Sequence, residues 1–165
     1  MRQDHSEQDF IDRVMNHQSI VHKVCSLYCD TEEDRKDLFQ EILINLWKSY
    51  SSFRGQSKFS TWMYRVALNV ALQQIRKDGQ NKEYTLLPGE LDRFLMPREQ
   101  YPLQEEKHLM YKAIKQLNEV ERAVIMLYLD EKGNEEIAEI IGISQNYVRV
   151  KMTRIRKKLK KLVEA

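Results

Sequence analysis

A short pattern near the C-terminus constrains the fold of this chain more than any other part of its sequence. Ala138 is small where two helices would come close, Gly142 can adopt the left-handed conformation that ends a helix, and Ser144 can cap the next helix. The apolar side chains available to fill the space between them are Ile137, Ile141, Ile143 and Val148. The spacing therefore predicts a helix-turn-helix whose second helix runs from Gln145 towards Val163.

The second helix of this motif is strongly basic. It carries eight Lys or Arg residues and no acid between Gln145 and Lys161, although the whole chain has only 27 basic against 25 acidic residues. Such a concentration is expected of a DNA-binding helix, although it is also compatible with the solvated face of an ordinary helical hairpin. The side chains placed to enter a major groove are Gln145, Asn146, Arg149, Lys151 and Thr153. Those placed further along, for backbone phosphate, are Arg154, Arg156, Lys157 and Lys158.

The rest of the chain also has the pattern of helices. Only 5 Gly and 3 Pro occur among its 165 residues, and apolar residues recur every three or four positions. Ser6 with Asp9 predicts the start of a first helix that continues to Tyr28, and Thr31 with Asp34 predicts the start of a second. A third helix carries a continuous apolar stripe from Phe59 to Ile75, after a loop at residues 50–57.

A change in composition divides the chain into two parts. The periodicity is lost between residues 81 and 102, where Pro88, Pro97 and Pro102 all lie. Helical spacing resumes near Leu103. Asn118 with Glu121 predicts a helix start, Gly133 a helix stop and Asn134 the next cap. We therefore expect an all-α protein of two small helical domains, residues 1–80 and 103–165, joined by a flexible linker at 81–102.

Several classes of protein are not expected from this sequence. It has no apolar stretch long enough to span a membrane and no signal-peptide pattern at its N-terminus, which predicts a cytoplasmic protein. Cys25 and Cys29 are four residues apart on one side of a predicted helix, a poor arrangement for a structural disulfide, so reduced thiols are expected. A metal site would need more ligands than this pair provides. Without a phosphate-binding loop, nucleophile motif or ligand cluster, neither an enzyme nor a cofactor or metal site is expected.

Two segments of the N-terminal half resemble a known family. Residues 37–41 (Asp-Leu-Phe-Gln-Glu), followed by Leu46 and Trp47, resemble the polymerase-binding helix of sigma factors. Residues 52–69 carry the run Phe-Arg-Gly…Phe-Ser-Thr-Trp-Met-Tyr-Arg-Val-Ala-Leu-Asn, which closely resembles the promoter-melting segment of the extracytoplasmic-function (ECF) sigma factors. Residues 113–162 resemble their C-terminal domain. The resemblance covers nearly the whole chain, in the order of the family.

This resemblance implies a promoter-recognising subunit of bacterial RNA polymerase. It implies binding to core RNA polymerase, at the β′ clamp coiled coil through Asp37, Gln40 and Glu41 and also at the β subunit. It implies that the C-terminal helix-turn-helix recognises the duplex −35 promoter element. It implies −10 element contacts by Phe53, Arg54, Lys58, Trp62, Tyr64, Arg65 and Asn69. An anti-sigma factor is a further partner implied by the family, although no residue indicates one.

Two alternatives remain open at this point. Phe59 and Trp62 lie in the apolar stripe of their helix, so helical spacing alone favours core packing as their main role. The chain could also be an autonomous helix-turn-helix transcriptional regulator with an N-terminal ligand or dimerisation domain. The run from Phe53 to Asn69 argues against that regulator, because a protein that binds only duplex DNA has no need of it.

Overall fold

The computed structural model describes residues 2–76 and 105–164, with side chains from 7 to 75 and from 109 to 164. The chain divides into two compact units, an N-terminal unit at Met1–Arg98 and a C-terminal unit at Glu99–Ala165. Within the described ranges every regular element is an α-helix, which confirms the expected all-α class. The linker expected at 81–102 lies outside the described residues, so the domain boundaries remain a prediction.

The described part of the N-terminal unit, residues 2–76, contains four helices: α1 (Arg2–Asn16), α2 (Gln18–Tyr28), α3 (Glu32–Tyr50) and α4 (Phe59–Arg76). The prediction of a single helix from Ser6 to Tyr28 is wrong in its start and in its continuity. Helix α1 already begins at Arg2, and the helical geometry is interrupted at His17. There the backbone leaves helical geometry, with φ −122° and ψ 17°. The ring Nδ1 of His17 lies 2.9 Å from the carbonyl oxygen of Arg13. A side chain thus competes locally for a helical carbonyl where the helix is interrupted.

Helix α3 begins where the sequence predicts. The hydroxyl of Thr31 accepts a hydrogen bond from the backbone N–H of Asp34 at 3.1 Å, so the expected N-cap is confirmed. Helix α4 packs against both α2 and α3. The core of this unit is formed by side chains that are almost completely buried: Phe10, Val14, Val21, Val24, Leu38, Ile42, Leu43, Leu46, Met63 and Tyr64.

Between residues 105 and 164, the C-terminal unit contains another four helices: α5 (Glu105–Lys115), α6 (Glu119–Leu129), α7 (Asn134–Ile141) and α8 (Gln145–Glu164). Asn118 and Glu121 form a complete capping box at the start of α6, as their spacing predicts. The predicted stop at Gly133 is wrong, because α6 ends four residues earlier. Glu131 takes the left-handed conformation there (φ 63°), and the N–H of Lys132 donates to the carbonyl of Leu127.

The next cap also differs from the expectation. Gly133 is itself the N-cap residue of α7, with φ −73° and ψ 163°, and Asn134 is already the first helical residue. The N-cap therefore provides no side-chain hydrogen bond. The sequence suggested Asn134 because its side chain suits a cap, but the turn after α6 decides where the helix begins.

The helix-turn-helix itself forms as predicted. Gly142 has φ 83° and ψ 36°, its N–H donates to the carbonyl of Ala138 at 2.8 Å, and the hydroxyl of Ser144 accepts from the N–H of Tyr147 at 3.1 Å. The buried side chains are Ile137, Ala138, Ile140 and Val148. Ile141 and Ile143 are only half-buried. Ile140 thus occupies the interior position that the sequence pattern assigned to its neighbour Ile141.

Candidate nucleic-acid interfaces

Helix α8 has one buried and one exposed face. Val148, Met152, Ile155 and Leu159 are buried at three- and four-residue intervals and pack the helix onto its own unit. The other face exposes most of the predicted −35 residues: Gln145, Asn146, Arg149, Thr153 and Arg154. The amide and guanidinium groups at its start are of the types that pair with base edges.

Two of the predicted groove residues have local partners. Lys151 is half-buried, and its ammonium lies 5.0 Å from the centre of the Tyr147 ring. The hydroxyl of Thr153 donates to the carbonyl of Arg149 at 3.1 Å, one turn earlier in the same helix. Thr153 remains exposed, and its hydroxyl oxygen can still accept a hydrogen bond, whereas Lys151 is only partly exposed.

Two of the residues expected further along for phosphate have partners within the C-terminal unit. The ammonium of Lys158 donates to both carboxylate oxygens of Glu121, at 3.0 and 2.8 Å. The guanidinium of Arg156 donates to the hydroxyl of Tyr128 at 3.2 Å and lies 5.3 Å from the centre of its ring. Helix α6 thus provides partners for part of the basic run, and phosphate binding by these residues stays a prediction.

The carboxylate of Glu121 is almost completely buried. Burial alone would raise its pKa, but the hydrogen bonds from Lys158 and from the backbone of Asn118 hold that pKa below its ordinary value. Sequence reasoning found the capping role of Glu121 but not its ion pair, since 37 residues separate it from Lys158. Lys158 therefore contributes to the folding of this unit.

The loop between α3 and α4 carries an aromatic cluster, which we call the loop cluster: Tyr50, Phe53, Phe59 and Trp62. The ring of Phe53 lies 5.1 Å from that of Trp62 and 5.7 Å from that of Phe59, in the second case edge to face. Phe53 and Phe59 remain half-buried, whereas Trp62 is 9% exposed. The loop therefore has a partly exposed aromatic surface that is supported from below by a buried ring, that of Trp62.

Charged side chains flank this surface. Arg54 and Lys58 are exposed at either side of Gly55, whose φ of 71° lets the loop turn tightly. The sequence pattern did not identify a third cation, Arg13 of α1. Its guanidinium carbon lies 5.9 Å from the centre of Phe53 and 5.6 Å from that of Phe59. No local signal relates Arg13 to a loop some forty residues later.

The two faces of α4 separate the remaining −10 candidates. Asn69 is exposed and Arg65 is half-buried, and they lie one turn apart on the same side of the helix. Tyr64 is 0% exposed, so its predicted DNA contact has no accessible surface, and the structure places it in the core instead. Trp62 is also buried, which agrees with the packing role that helical spacing favoured for it.

Comparisons with known proteins match both units. A model of Sigma-70 region 2 matches residues 13–80, and a model of Sigma-70 region 4 matches residues 107–159. The ECF RNA polymerase sigma factor SigW of Bacillus subtilis is 28% identical over 163 residues, covering 92% of this chain and 87% of that protein. The chain belongs to the ECF sigma factors. It directs promoter-specific transcription initiation, so core RNA polymerase and promoter DNA are its partners, and an autonomous regulator is not favoured.

Further relatives of this sigma factor also match over most of the length of both chains. The ECF RNA polymerase sigma-E factor of Escherichia coli K12 is 28% identical over 156 residues, covering 87% of this chain and 82% of the other. Sigma factor RpoE of Bartonella quintana, solved in complex with the anti-sigma factor NepR, superposes with a TM-score of 0.70 at 19% identity, covering 96% of this chain and 98% of that one. CnrH, solved with the cytosolic domain of CnrY, gives 0.68 at 19%, covering 96% and 89%. These two structures share the fold.

The polymerase-binding candidates of the sigma factor lie on α3. Gln40 is exposed, and Asp37 and Glu41 are half-buried. The carboxylate of Glu41 accepts a hydrogen bond from the side-chain amide of Gln74 at 3.1 Å, which connects α3 to α4. Within residues 2–76 and 105–164, no helix combines the length and apolar character needed to cross a membrane.

Proposed function

We propose that this sigma factor contacts a promoter at two separate sites, one in each unit. The exposed face of α8 recognises the duplex −35 element, and the loop cluster with α4 holds the separated −10 strand. The observation that carries the proposal is the pairing of two different surfaces in one chain. One is a basic helix suited to a groove, and the other is an aromatic loop suited to unpaired bases.

The −10 site combines stacking surfaces with a polar group. An unpaired base stacks on an aromatic face. The ring of Phe53 is half-exposed and packs on the buried ring of Trp62. The exposed amide of Asn69 can donate to and accept from the edge of a base. Arg54 and Lys58 are exposed and supply charge for the phosphates of the same strand, with Arg65 one turn before Asn69.

The −35 site depends on the first turns of α8. Gln145 and Asn146 are amides of the kind that pair with adenine, and Arg149 can form two hydrogen bonds with guanine. Thr153 and Arg154 extend the same exposed face by one turn, and Lys151 lies at its side. The helix is held against the unit by its buried face, so these side chains are presented on a rigid element.

The remaining parts of the proposal concern partners and place. Asp37, Gln40 and Glu41 bind the clamp coiled coil of the β′ subunit, and the β subunit provides a second contact with the polymerase. The protein acts in the cytoplasm, without enzymatic activity of its own. An anti-sigma factor regulates it; the support is the family and a structural neighbour that was solved with such a partner.

Two alanine variants separate the two sites. With core polymerase added, Asn69→Ala should impair opening of the −10 region, measured by permanganate reactivity, while duplex −35 binding remains. Arg149→Ala should weaken duplex binding by about 1–3 kcal/mol and relax the preference at one base pair. The promoter is one selected by run-off transcription from genomic DNA with the holoenzyme.

Matched controls are available in each unit. Gln8→Ala removes another exposed amide of the N-terminal unit, and Lys112→Ala removes another exposed cation of the C-terminal unit. Both should leave opening and duplex binding unchanged. Equal losses of opening and duplex binding in Asn69→Ala would contradict the separation of the two sites. Failure of the unaltered chain to co-elute with core polymerase would contradict the proposal as a whole.

A further inference from the structure

Helix α1 presents a row of polar side chains to the loop between α3 and α4. Asp9 and Arg13 are spaced by four residues, so they lie above one another on one side of α1, and His17 follows directly after the end of that helix. Each of them contacts a residue of the loop cluster or its edge. The family resemblance in the sequence lay in α3 and α4, and it assigned no role to this part of α1.

The contacts of Arg13 reach both ends of the loop. Its guanidinium carbon lies 5.9 Å from the ring centre of Phe53, inside the loop, and 5.6 Å from that of Phe59, at the start of α4. These distances lie within the range of cation–π attraction. One guanidinium therefore binds two rings that are six residues apart in the chain.

The neighbours of Arg13 hold it in place. Its Nε lies 3.6 Å from the carboxylate of Asp9, and the same carboxylate accepts a hydrogen bond from the hydroxyl of Tyr50, the last residue of α3. Burial and this hydrogen bond raise the pKa of Tyr50 to about 12, so its hydroxyl keeps its proton as the donor. The ring of His17 lies 5.2 Å from that of Phe59.

We propose that Arg13 is a positioning residue for −10 strand binding: together with Asp9 it holds the loop in the conformation that presents Phe53. This inference rests on the proposed function of the loop cluster. Arg13 acts through Phe53 and Phe59. Without its guanidinium, half-exposed Phe53 keeps its contacts with Phe59 and Trp62 but loses the connection to α1, so the loop spends less time in the binding conformation.

The test compares three full-length variants: Arg13→Gln, which removes the charge, Arg13→Lys, which retains a cation, and Asp12→Ala as a control. Asp12 is an exposed carboxylate on the same helix that pairs with Gln8 instead of the loop. One measurement is the rate of trypsin cleavage after Arg54 and Lys58 in the free protein. The other is the rate of promoter opening by the holoenzyme, on duplex DNA and on the same promoter with an unpaired −10 region.

Arg13→Gln should speed loop cleavage and slow duplex opening, each by about two- to fivefold, since a cation–π contact at an exposed site contributes about 0.5–1 kcal/mol. Arg13→Lys should restore most of both, the unpaired template should reduce the opening defect, and Asp12→Ala should behave like the unaltered chain. Core-polymerase affinity and duplex −35 binding should not change in any variant.

Each contrary result has a definite meaning. Slower opening with unchanged loop cleavage would overturn the positioning role, because Arg13 would then contact DNA directly. Unchanged cleavage and opening in Arg13→Gln would overturn it as well. Faster cleavage with unchanged opening on both templates would leave Arg13 holding the loop but overturn the −10 function proposed for that loop.

Discussion

The two candidate DNA-binding surfaces of this sigma factor are built in different ways. In the C-terminal unit, the exposed groups from Gln145 to Arg154 belong to one helix, α8. In the N-terminal unit, the loop cluster combines side chains from the end of α3, the loop and α4. It also contacts α1, and the link from Asp9 to Tyr50 joins residues 41 positions apart. One surface follows from local sequence, and the other requires several elements to meet.

This difference matches what each surface is proposed to bind. A duplex presents base edges along a groove whose width suits one helix, so a single rigid element is sufficient. Unpaired bases require aromatic faces at defined distances, together with charges for the phosphates. Such a site depends on packing and is therefore more sensitive to changes in the core beneath it.

The largest expected effect is in that core. Tyr64→Ala should lower the free energy of unfolding by about 3–5 kcal/mol, because it removes a fully buried aromatic ring. Urea denaturation measures the loss. In holoenzyme assays, promoter opening should fall together with the folded fraction.

Tyr64→Phe distinguishes packing from DNA contact, since it retains the ring. It should remain folded and keep most of the opening activity. A stable Tyr64→Phe protein without opening activity would show that the hydroxyl acts in DNA binding, contrary to its burial.

The next largest effect concerns the ion pair between Glu121 of α6 and Lys158 of α8. Glu121→Gln keeps a capping side chain but removes the charge that pairs with Lys158, so we expect a loss of about 1–2 kcal/mol at pH 7, after allowing for the half-exposed ammonium. The folded-state pKa of Glu121 is below its ordinary value of 4.5. Its stabilisation is therefore complete above that pH and is lost as the pH falls below it.

Denaturation between pH 7 and pH 3 checks this expectation. The unaltered chain should lose more stability over that range than Glu121→Gln does. Lys157→Gln is the matched control, because Lys157 is the exposed neighbour of Lys158 on α8. Parallel pH profiles for the unaltered chain and Glu121→Gln would rule out the ion pair as a source of stability.

Substitution of two glycines allows a more direct comparison of the two surfaces. Gly55 and Gly142 both have left-handed backbones, with φ of 71° and 83°, and a methyl group added at either would meet no neighbour within 4 Å. Each change to Ala should therefore cost about 1 kcal/mol through backbone strain alone. Gly55→Ala should slow promoter opening, whereas Gly142→Ala should weaken duplex binding. Loss of the same function in both variants would contradict the division of roles.

The smallest effect distinguishes two adjacent lysines of α8. Lys157→Gln should reduce the salt dependence of duplex binding, lowering the slope of log K against log salt by about 0.9 if one phosphate contact is lost. Lys158→Gln should change that slope less, because its ammonium is already bound by Glu121. Equal changes in slope would show that Lys158 leaves Glu121 when DNA binds.

Much of the fold follows from local patterns. Thr31, Asn118, Gly142 and Ser144 each act at the helix end where the sequence places them, because a cap or a left-handed turn involves only neighbouring residues. The errors lie where a local signal competed with another. His17 interrupts a helix that its apolar spacing predicted as continuous, and Glu131 ends α6 in a conformation for which Gly133 seemed the better candidate.

The sequence by itself thus determined the helical class, the helix-turn-helix with its exposed groove residues, and the motif from Phe53 to Asn69 that indicated the family. Only the tertiary structure decided which of those residues have accessible surface. It placed Tyr64 in the core, bound Lys158 to Glu121 and brought Arg13 to the aromatic loop. Periodicity gives the face of a helix, but the partner on that face comes from a distant part of the chain.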